Sequence, residues 1–230
     1  GAPQRLQDLG VEVVHDLPGV GENLQDHFCV RMRWRTKGVT TFNERVRGLR
    51  AIREGIDYFL RKRGVLSMPT LPIGAFVRTR QELASPDVQF QILPGTYKSI
   101  QDRALDPEPG VTIGVTMLRL ESRGYVHAKS PDYRAQPSIW HNMLSTENDR
   151  QTTIAGRWMA RKMMEAQAFQ PYYDFELTPG KDAGDDAAFL EYARQEGASN
   201  WHPASTCKMG VDSMAVVDPQ LRVHGMENLC

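Results

Sequence analysis

The chain of 230 residues has few of the residues on which disulfide-bonded and metal-binding domains depend. It contains three cysteines, Cys29, Cys207 and Cys230, an odd number without C-x-x-C spacing. This pattern argues against a disulfide framework and against a zinc knuckle. We therefore expect a protein of the reducing cytoplasm without a bound metal.

Long apolar runs and an excess of charge are also absent. No apolar run approaches the roughly 18 to 20 residues that cross a bilayer, and the first residues lack the basic-then-apolar layout of a signal peptide. We expect no transmembrane segment, so any membrane association would be peripheral. The 28 basic and 28 acidic side chains cancel, and nothing in this balance favours nucleic acid as a partner. A small molecule is the expected partner.

Two catalytic and cofactor-binding motifs are missing as well. The stretch "LPGVGENLQDH", residues 17–27, contains G-V-G but no third glycine at the dinucleotide-binding spacing, and the chain has no G-x-S-x-G nucleophile motif. A glycine-rich turn followed by Asn23, Gln25 and Asp26 can still contact a polar ligand through backbone N–H groups. The alternative, a turn that only connects two domains, is equally compatible with the sequence.

The strand and helix patterns that are present predict an α+β fold. Phe28, Val30, Met32 and Trp34 alternate with polar residues, which predicts a strand with one buried face. Five more strand-like runs follow between residues 71 and 140, namely "IGAFVRT", "DVQFQIL", "VTIGVTMLRLES", "GYVHAKS" and "PSIWHNML". Such a succession predicts a mainly antiparallel sheet flanked by helices.

Helical spacing predicts three helices, over residues 44–63, 147–168 and 185–195. In the first two, we expect the apolar face to be buried in the core; these faces carry Leu49, Ile52, Ile56, Phe59 and Leu60, and Ile154, Trp158, Met159 and Met163. The arginines of the first helix are interrupted by acidic residues, which indicates a solvated face rather than a phosphate site.

The stretch "NWHPASTCKMG", residues 200–210, contains the strongest candidate for a catalytic side chain. Pro203 disfavours helix at His202, and the small residues after it suit a tight turn that can direct the imidazole into a pocket. Ser205 and Cys207 lack any sign of activation as nucleophiles, and His202 with Cys207 is only a pair of metal ligands. The remaining five histidines are interpreted as structural or surface residues.

Three segments in order carry a resemblance to the glucose-methanol-choline (GMC) family of FAD-dependent oxidoreductases, and to its choline-dehydrogenase-like branch. They are "GAPQRLQDLGVEVVHDLPGVGENLQDH", "SRGYVHAKSPDYRAQPSIWHNMLSTENDR", and "NWHPASTCKMG" with "VVDPQLRVHGMENL". The resemblance implies a remnant of the flavin domain over 1–27, a substrate-binding domain over 28–198, and the active-site histidine loop with the start of the return to the flavin domain over 199–230. It also implies a piece of a longer enzyme, without the family's N-terminal FAD-binding βαβ unit and its C-terminal end, and inactive by itself.

The resemblance further implies FAD as the cofactor and oxidation of a primary alcohol, choline-like or other, to an aldehyde. His202 matches the family's catalytic histidine, which accepts the hydroxyl proton while hydride passes to flavin N5. By the same resemblance, Asn200 and Trp201 lie beside the isoalloxazine and Asn23 lies near the cofactor. The alcohol, the electron acceptor and the oligomeric state stay open. A non-redox lyase of the same fold, or a binding module without FAD, is the alternative.

Overall fold

The structure, a computed structural model, describes residues 1–99, 104–180 and 183–230. Its ten strands within these residues are β1 Phe28–Thr36, β2 Ile73–Val77, β3 Val88–Leu93, β4 Tyr97–Ser99, β5 Ala104–Leu105, β6 Gly110–Met117, β7 Tyr125–His127, β8 Ser138–Trp140, β9 Tyr173–Thr178 and β10 Ala198–Ser199. The helices are α1 Pro3–Asp8, α2 Phe42–Arg45, α3 Gly48–Arg61, α4 Glu147–Met164 and α5 Asp186–Glu196, with a 3₁₀ turn at Val65–Ser67. No helix in the described part of the chain combines the length and the apolar character that crossing a bilayer requires.

A six-stranded sheet in the order β10-β1-β6-β3-β2, with β9 paired to β1, forms the centre of the fold. β1 is antiparallel to β6 and β9, and β3 is antiparallel to β2 and β6. The pairs β4–β5 and β7–β8 form two small antiparallel sheets. The predicted α+β class, a mainly antiparallel sheet flanked by helices, is therefore confirmed.

The chain divides into two compact units. Unit 1 comprises Gly1–His27, Leu120–Asp149 and Ser199–Cys230, and unit 2 comprises Phe28–Arg119 and Arg150–Ala198. Residues 120–149 thus group with the two ends, whereas the sequence analysis assigns them to the segment 28–198. The division of the chain by role stays a prediction.

The predicted alternation in β1 is confirmed and forms the core of unit 2. Val30, Met32 and Trp34 are at most 1% exposed, and Met32 pairs in register with Ile113 of β6, which is also fully buried. α4 approaches this face closely, because a Cβ added to Gly156 would lie 2.6 Å from the side chain of Val115 on β6. The other face of β1 carries polar side chains at the alternate positions.

The helix predicted over 44–63 is interrupted, and its apolar face is not buried. Gly48 has a φ of +55°, which separates α2 from α3. The five apolar residues expected inside are 54% to 84% exposed, and Glu54 is the buried residue of α3. The Glu54 carboxylate accepts a hydrogen bond from Val65 N–H at 2.9 Å and pairs with Arg45. The helical spacing of the apolar residues correctly predicted that they share one face of the helix. That spacing does not say whether another element of the chain packs against this face.

α4 differs from the prediction at one position of its inward face. Ile154 is buried as predicted, but Trp158 is 47% exposed. The Trp158 indole N–H donates to Asp186 at 3.1 Å. The fully buried neighbour is Arg157, whose guanidinium lies 4.2 Å from the Trp158 ring centroid and 4.6 Å from that of Phe189. The pattern of apolar residues along α4 could not predict that the charged residue Arg157 is buried.

Candidate active site

The candidate site lies in unit 1, where the segment 21–26 pairs with the segment 199–206. Gln25 N–H donates to Ala204 O at 3.0 Å, and Ala204 N–H donates to Gln25 O at 2.9 Å. Gly21 N–H donates to Thr206 O at 2.8 Å. Backbone hydrogen bonds therefore join the two sequence motifs that were singled out separately, "LPGVGENLQDH" and "NWHPASTCKMG".

The carboxylate of Asp26 holds the histidine loop in place. Its side chain is only 1% exposed, and it accepts a hydrogen bond from His202 N–H at 3.0 Å on one oxygen. Ser199 Oγ donates to the other oxygen and accepts from Trp201 N–H at 2.8 Å. His141 Nε2 lies 3.6 Å from that second oxygen. The carboxylate of Asp26 therefore binds the loop that carries His202, whereas contact of the turn's backbone N–H groups with a ligand stays a prediction.

Because Asp26 binds the backbone of the loop, the side chains of Trp201 and His202 face outward. Trp201 is 83% exposed and has a φ of +61°, an unfavourable conformation for a bulky residue. His202 is also exposed, and its ring meets the edge of His27 with centroids 5.4 Å apart and planes at 82°. An imidazole fixed through its own backbone and left accessible has the arrangement that a proton acceptor for a bound molecule needs.

The other two predicted cofactor contacts belong to the same assembly. Asn200 N–H donates to His27 O at 3.1 Å, directly beside Trp201. Asn23 is half-buried with a φ of +63°, next to the bridge between Leu24 and Gly124. The structure thus brings Asn23, Asn200, Trp201 and His202 into one pair of bonded segments. Their roles toward a cofactor stay predictions.

The competing chemistries have little support in the geometry. Ser205 Oγ accepts a hydrogen bond from Gln25 Nε2 at 3.0 Å, and Cys207 is exposed. His224 Nε2 lies 2.9 Å from Gly210 O, a contact of the kind expected for a structural histidine. Among residues 1–99, 104–180 and 183–230, no three His, Cys, Asp or Glu side chains are grouped to hold a metal ion.

Replacing Asp26 with alanine is expected to loosen the histidine loop. The substitution leaves the His202 amide without its buried acceptor, at a cost of about 1–3 kcal/mol. We expect faster hydrogen exchange in the segment 199–206, measured by mass spectrometry, and a lower urea midpoint. Asp8→Ala is the control, because Asp8 is exposed on α1 and its carboxylate accepts a hydrogen bond from the exposed side chain of Gln4. Unchanged exchange in the Asp26 variant would contradict the assigned role.

Comparison with known proteins relates this chain to a protein family. Residues 121–230 match the family model described as GMC oxidoreductase. Over 229 residues the chain is 37% identical to proteins named oxygen-dependent choline dehydrogenase from Pseudomonas aeruginosa (strain LESB58) and Xanthomonas campestris pv. campestris (strain B100). Each alignment covers 100% of this chain and 41% of the relative. The chain therefore spans about two fifths of the length of these curated relatives.

Solved structures show the same fold. A pyridoxine 4-oxidase from Mesorbium loti superposes with a TM-score of 0.77 at 21% identity, over 100% of this chain and 41% of its own. A formate oxidase from Aspergillus oryzae RIB40 superposes with a TM-score of 0.85 at 20% identity, over 100% of this chain and 45% of its own. The family model, the sequence relatives and the fold agree, and the chain belongs to the GMC oxidoreductase family.

Proposed function

We propose that this chain is part of an FAD-dependent oxidoreductase of the GMC type that oxidises the CH–OH group of a primary alcohol to an aldehyde. The observation that carries the proposal is the exposed imidazole of His202 on a loop fixed by the buried carboxylate of Asp26. The names of the relatives, a choline dehydrogenase among them, support an alcohol as the substrate. The identity of the alcohol and of the electron acceptor is left to experiment.

In this proposal His202 accepts the proton of the substrate hydroxyl. Removing that proton concentrates electron density on the oxygen. Hydride then leaves more easily from the carbon that bears this oxygen. A positioned base of this kind contributes typically about 10²–10⁴-fold to the rate. Asp26 is a positioning residue, because it contacts the His202 backbone and not the reacting atoms.

The residues around His202 fit a flavin. Trp201 presents a large aromatic surface to solvent at a fixed backbone position, and such surfaces commonly mark contact sites. We propose that Trp201 and Asn200 contact the isoalloxazine ring and that Asn23 contacts another part of the same cofactor. FAD, when bound, supplies the hydride acceptor, while the protein supplies binding, orientation and electrostatics.

The three predicted segments keep their roles in this proposal. Residues 28–198 would bind the substrate, 1–27 would belong to the flavin domain, and 199–230 would carry the histidine loop and the return to the flavin domain. A small-molecule alcohol is the proposed partner, and the cytoplasm is the proposed location.

The test is anaerobic reduction of the flavin in the purified full-length protein. We expect bound FAD and loss of its visible absorbance on addition of primary alcohols, but not of the matching methyl ethers, which lack the hydroxyl proton. Reoxidation by O₂ or by a dye then separates an oxidase from a dehydrogenase. A protein that binds no FAD would contradict the proposal. So would cleavage of a cyanohydrin without flavin reduction, which identifies a lyase.

A further inference from the structure

The polar face of β1 in unit 2 carries three arginines with different surroundings. Arg35 pairs with Asp106 at 3.2 Å and with Glu108 at 3.3 Å. Partial burial of Asp106 acts to raise its pKa, but hydrogen bonds from Arg35 and from Glu108 N–H hold that pKa below the ordinary value. Among the described residues, Arg33 donates to two neutral oxygens, Thr178 Oγ1 and Tyr97 O.

Arg31 has no partner for its guanidinium among the described residues, although it is half-buried. Its backbone carbonyl accepts a hydrogen bond from the Tyr192 hydroxyl at 2.8 Å, which fixes the strand at this point. A guanidinium that has no carboxylate partner among the described residues is available to pair with an anionic ligand.

Arg31 lines a cavity of about 290 Å³ that lies within unit 2, beside the C-terminal end of α5. The cavity is also lined by Arg33, Lys98 and the carboxylate of Glu196, which gives it a formal charge of +2. The α5 terminus contributes about half a negative charge. Burial raises the pKa of Tyr192, so that its hydroxyl stays neutral and adds no further negative charge. The cavity therefore keeps an excess of positive charge.

In the other two described cavities that contain arginines, the same formal count gives +1 and −1, and each arginine has a carboxylate within 4 Å. In one, Arg45 lies 3.2 Å from Glu54 and Arg53 lies 3.9 Å from Asp57. In the other, Arg161 makes a bidentate pair with Glu176, at 2.8 and 2.9 Å. Among the described residues, the Arg31 cavity therefore differs in that neither Arg31 nor Arg33 has a carboxylate partner for its guanidinium.

We propose that the Arg31 cavity binds a small organic monocarboxylate, with the carboxylate on the guanidinium of Arg31. A guanidinium offers parallel N–H donors that match the two oxygens of a carboxylate. Tyr97 and Tyr192 also line the cavity, and tyrosine is a residue type that can provide contact area for the hydrocarbon part. Glu196 and the α5 terminus oppose a second negative charge, which favours a monoanion over a phosphate dianion. A quaternary ammonium is excluded from this cavity by repulsion from the same arginines.

This inference goes beyond the proposed oxidation, because binding at Arg31 requires neither flavin nor turnover. The test is calorimetric titration of the purified full-length protein with butanoate, 4-hydroxybutanoate, inorganic phosphate and choline. We expect both carboxylates to bind, and Arg31→Gln to weaken them by about 10- to 100-fold, the effect of one charge-assisted contact. Higher salt should weaken binding to the wild type more than to the variant, since screening acts on the charge.

Arg63→Gln is the matched control, because Arg63 is exposed on the surface and its loss changes the net charge equally. Arg31→Lys keeps the charge without the planar group and should bind with intermediate affinity. Equal thermal midpoints of the variants establish that folding is unaffected. Unchanged carboxylate affinity in Arg31→Gln overturns the proposal, as does tighter binding of phosphate or choline. Flavin reduction is recorded separately, so a failed oxidation and a failed anion site give different results.

Discussion

A His202→Ala variant of the FAD-loaded full-length protein is expected to reduce its flavin with alcohol about 10²–10⁴-fold more slowly than the wild type. The substitution removes the imidazole that accepts the hydroxyl proton in the proposed reaction. The ring is exposed, and the ring contact it makes among the described residues is with His27, so its removal should leave folding intact. The measurement is stopped-flow flavin reduction without oxygen, over a range of alcohol concentrations.

Two comparisons separate the role of the His202 imidazole from indirect effects. His15→Ala should retain the wild-type rate, because His15 packs beside Gly225 and makes none of the hydrogen bonds described for the 199–206 loop. Asp26→Ala should slow reduction less than His202→Ala, since the base is displaced but present. If His202→Ala reduces flavin at the wild-type rate while it retains its FAD, His202 has no part in the reaction.

Arg157→Leu is expected to lower the free energy of unfolding by about 2–4 kcal/mol, because a fully buried guanidinium and its charge-assisted hydrogen bonds to two backbone carbonyls and a carboxylate are lost. The fully buried guanidinium donates to Asp185 O at 2.8 Å and to Ala183 O at 3.2 Å. It also pairs with the half-exposed carboxylate of Asp186. Leucine fills part of the volume but donates nothing. Urea unfolding followed by circular dichroism gives the free energy directly.

The control for this loss is Arg194→Leu on the neighbouring helix α5. Arg194 is half-exposed and lies 3.5 Å from Glu191, a pair worth less than about 1 kcal/mol. Arg157→Lys should recover only part of the stability, because an ammonium cannot reach three acceptors with the guanidinium geometry. Equal stability of Arg157→Leu and Arg194→Leu would mean that the buried network contributes nothing.

Local sequence patterns predicted most of the helices and strands, because each such pattern depends on residues that are close together along the chain. The T-x-x-E spacing of Thr41 and Glu44 forms a capping box at the start of α2, and Thr146 Oγ1 accepts from Asp149 N–H at 3.2 Å at the start of α4. The alternation in β1 predicted both its extent and its buried face. The short strands β4, β5, β9 and β10 went unpredicted, since they are stabilised mainly by pairing with distant segments rather than by their own pattern.

The sequence alone determined the fold class, the histidine loop and, through three ordered motifs, the family. Those properties depend on residue type and spacing along the chain. Only the tertiary structure decided which contacts the side chains make and which of them are buried, because contacts between distant segments leave no local pattern in the sequence. It assigned Asp26 to hold the backbone of His202, put Arg157 rather than Trp158 in the core, and left the apolar stripe of α3 exposed. Within the described residues it also left Arg31 beside a cavity and without a carboxylate partner, where the sequence showed only one polar residue in an alternating strand.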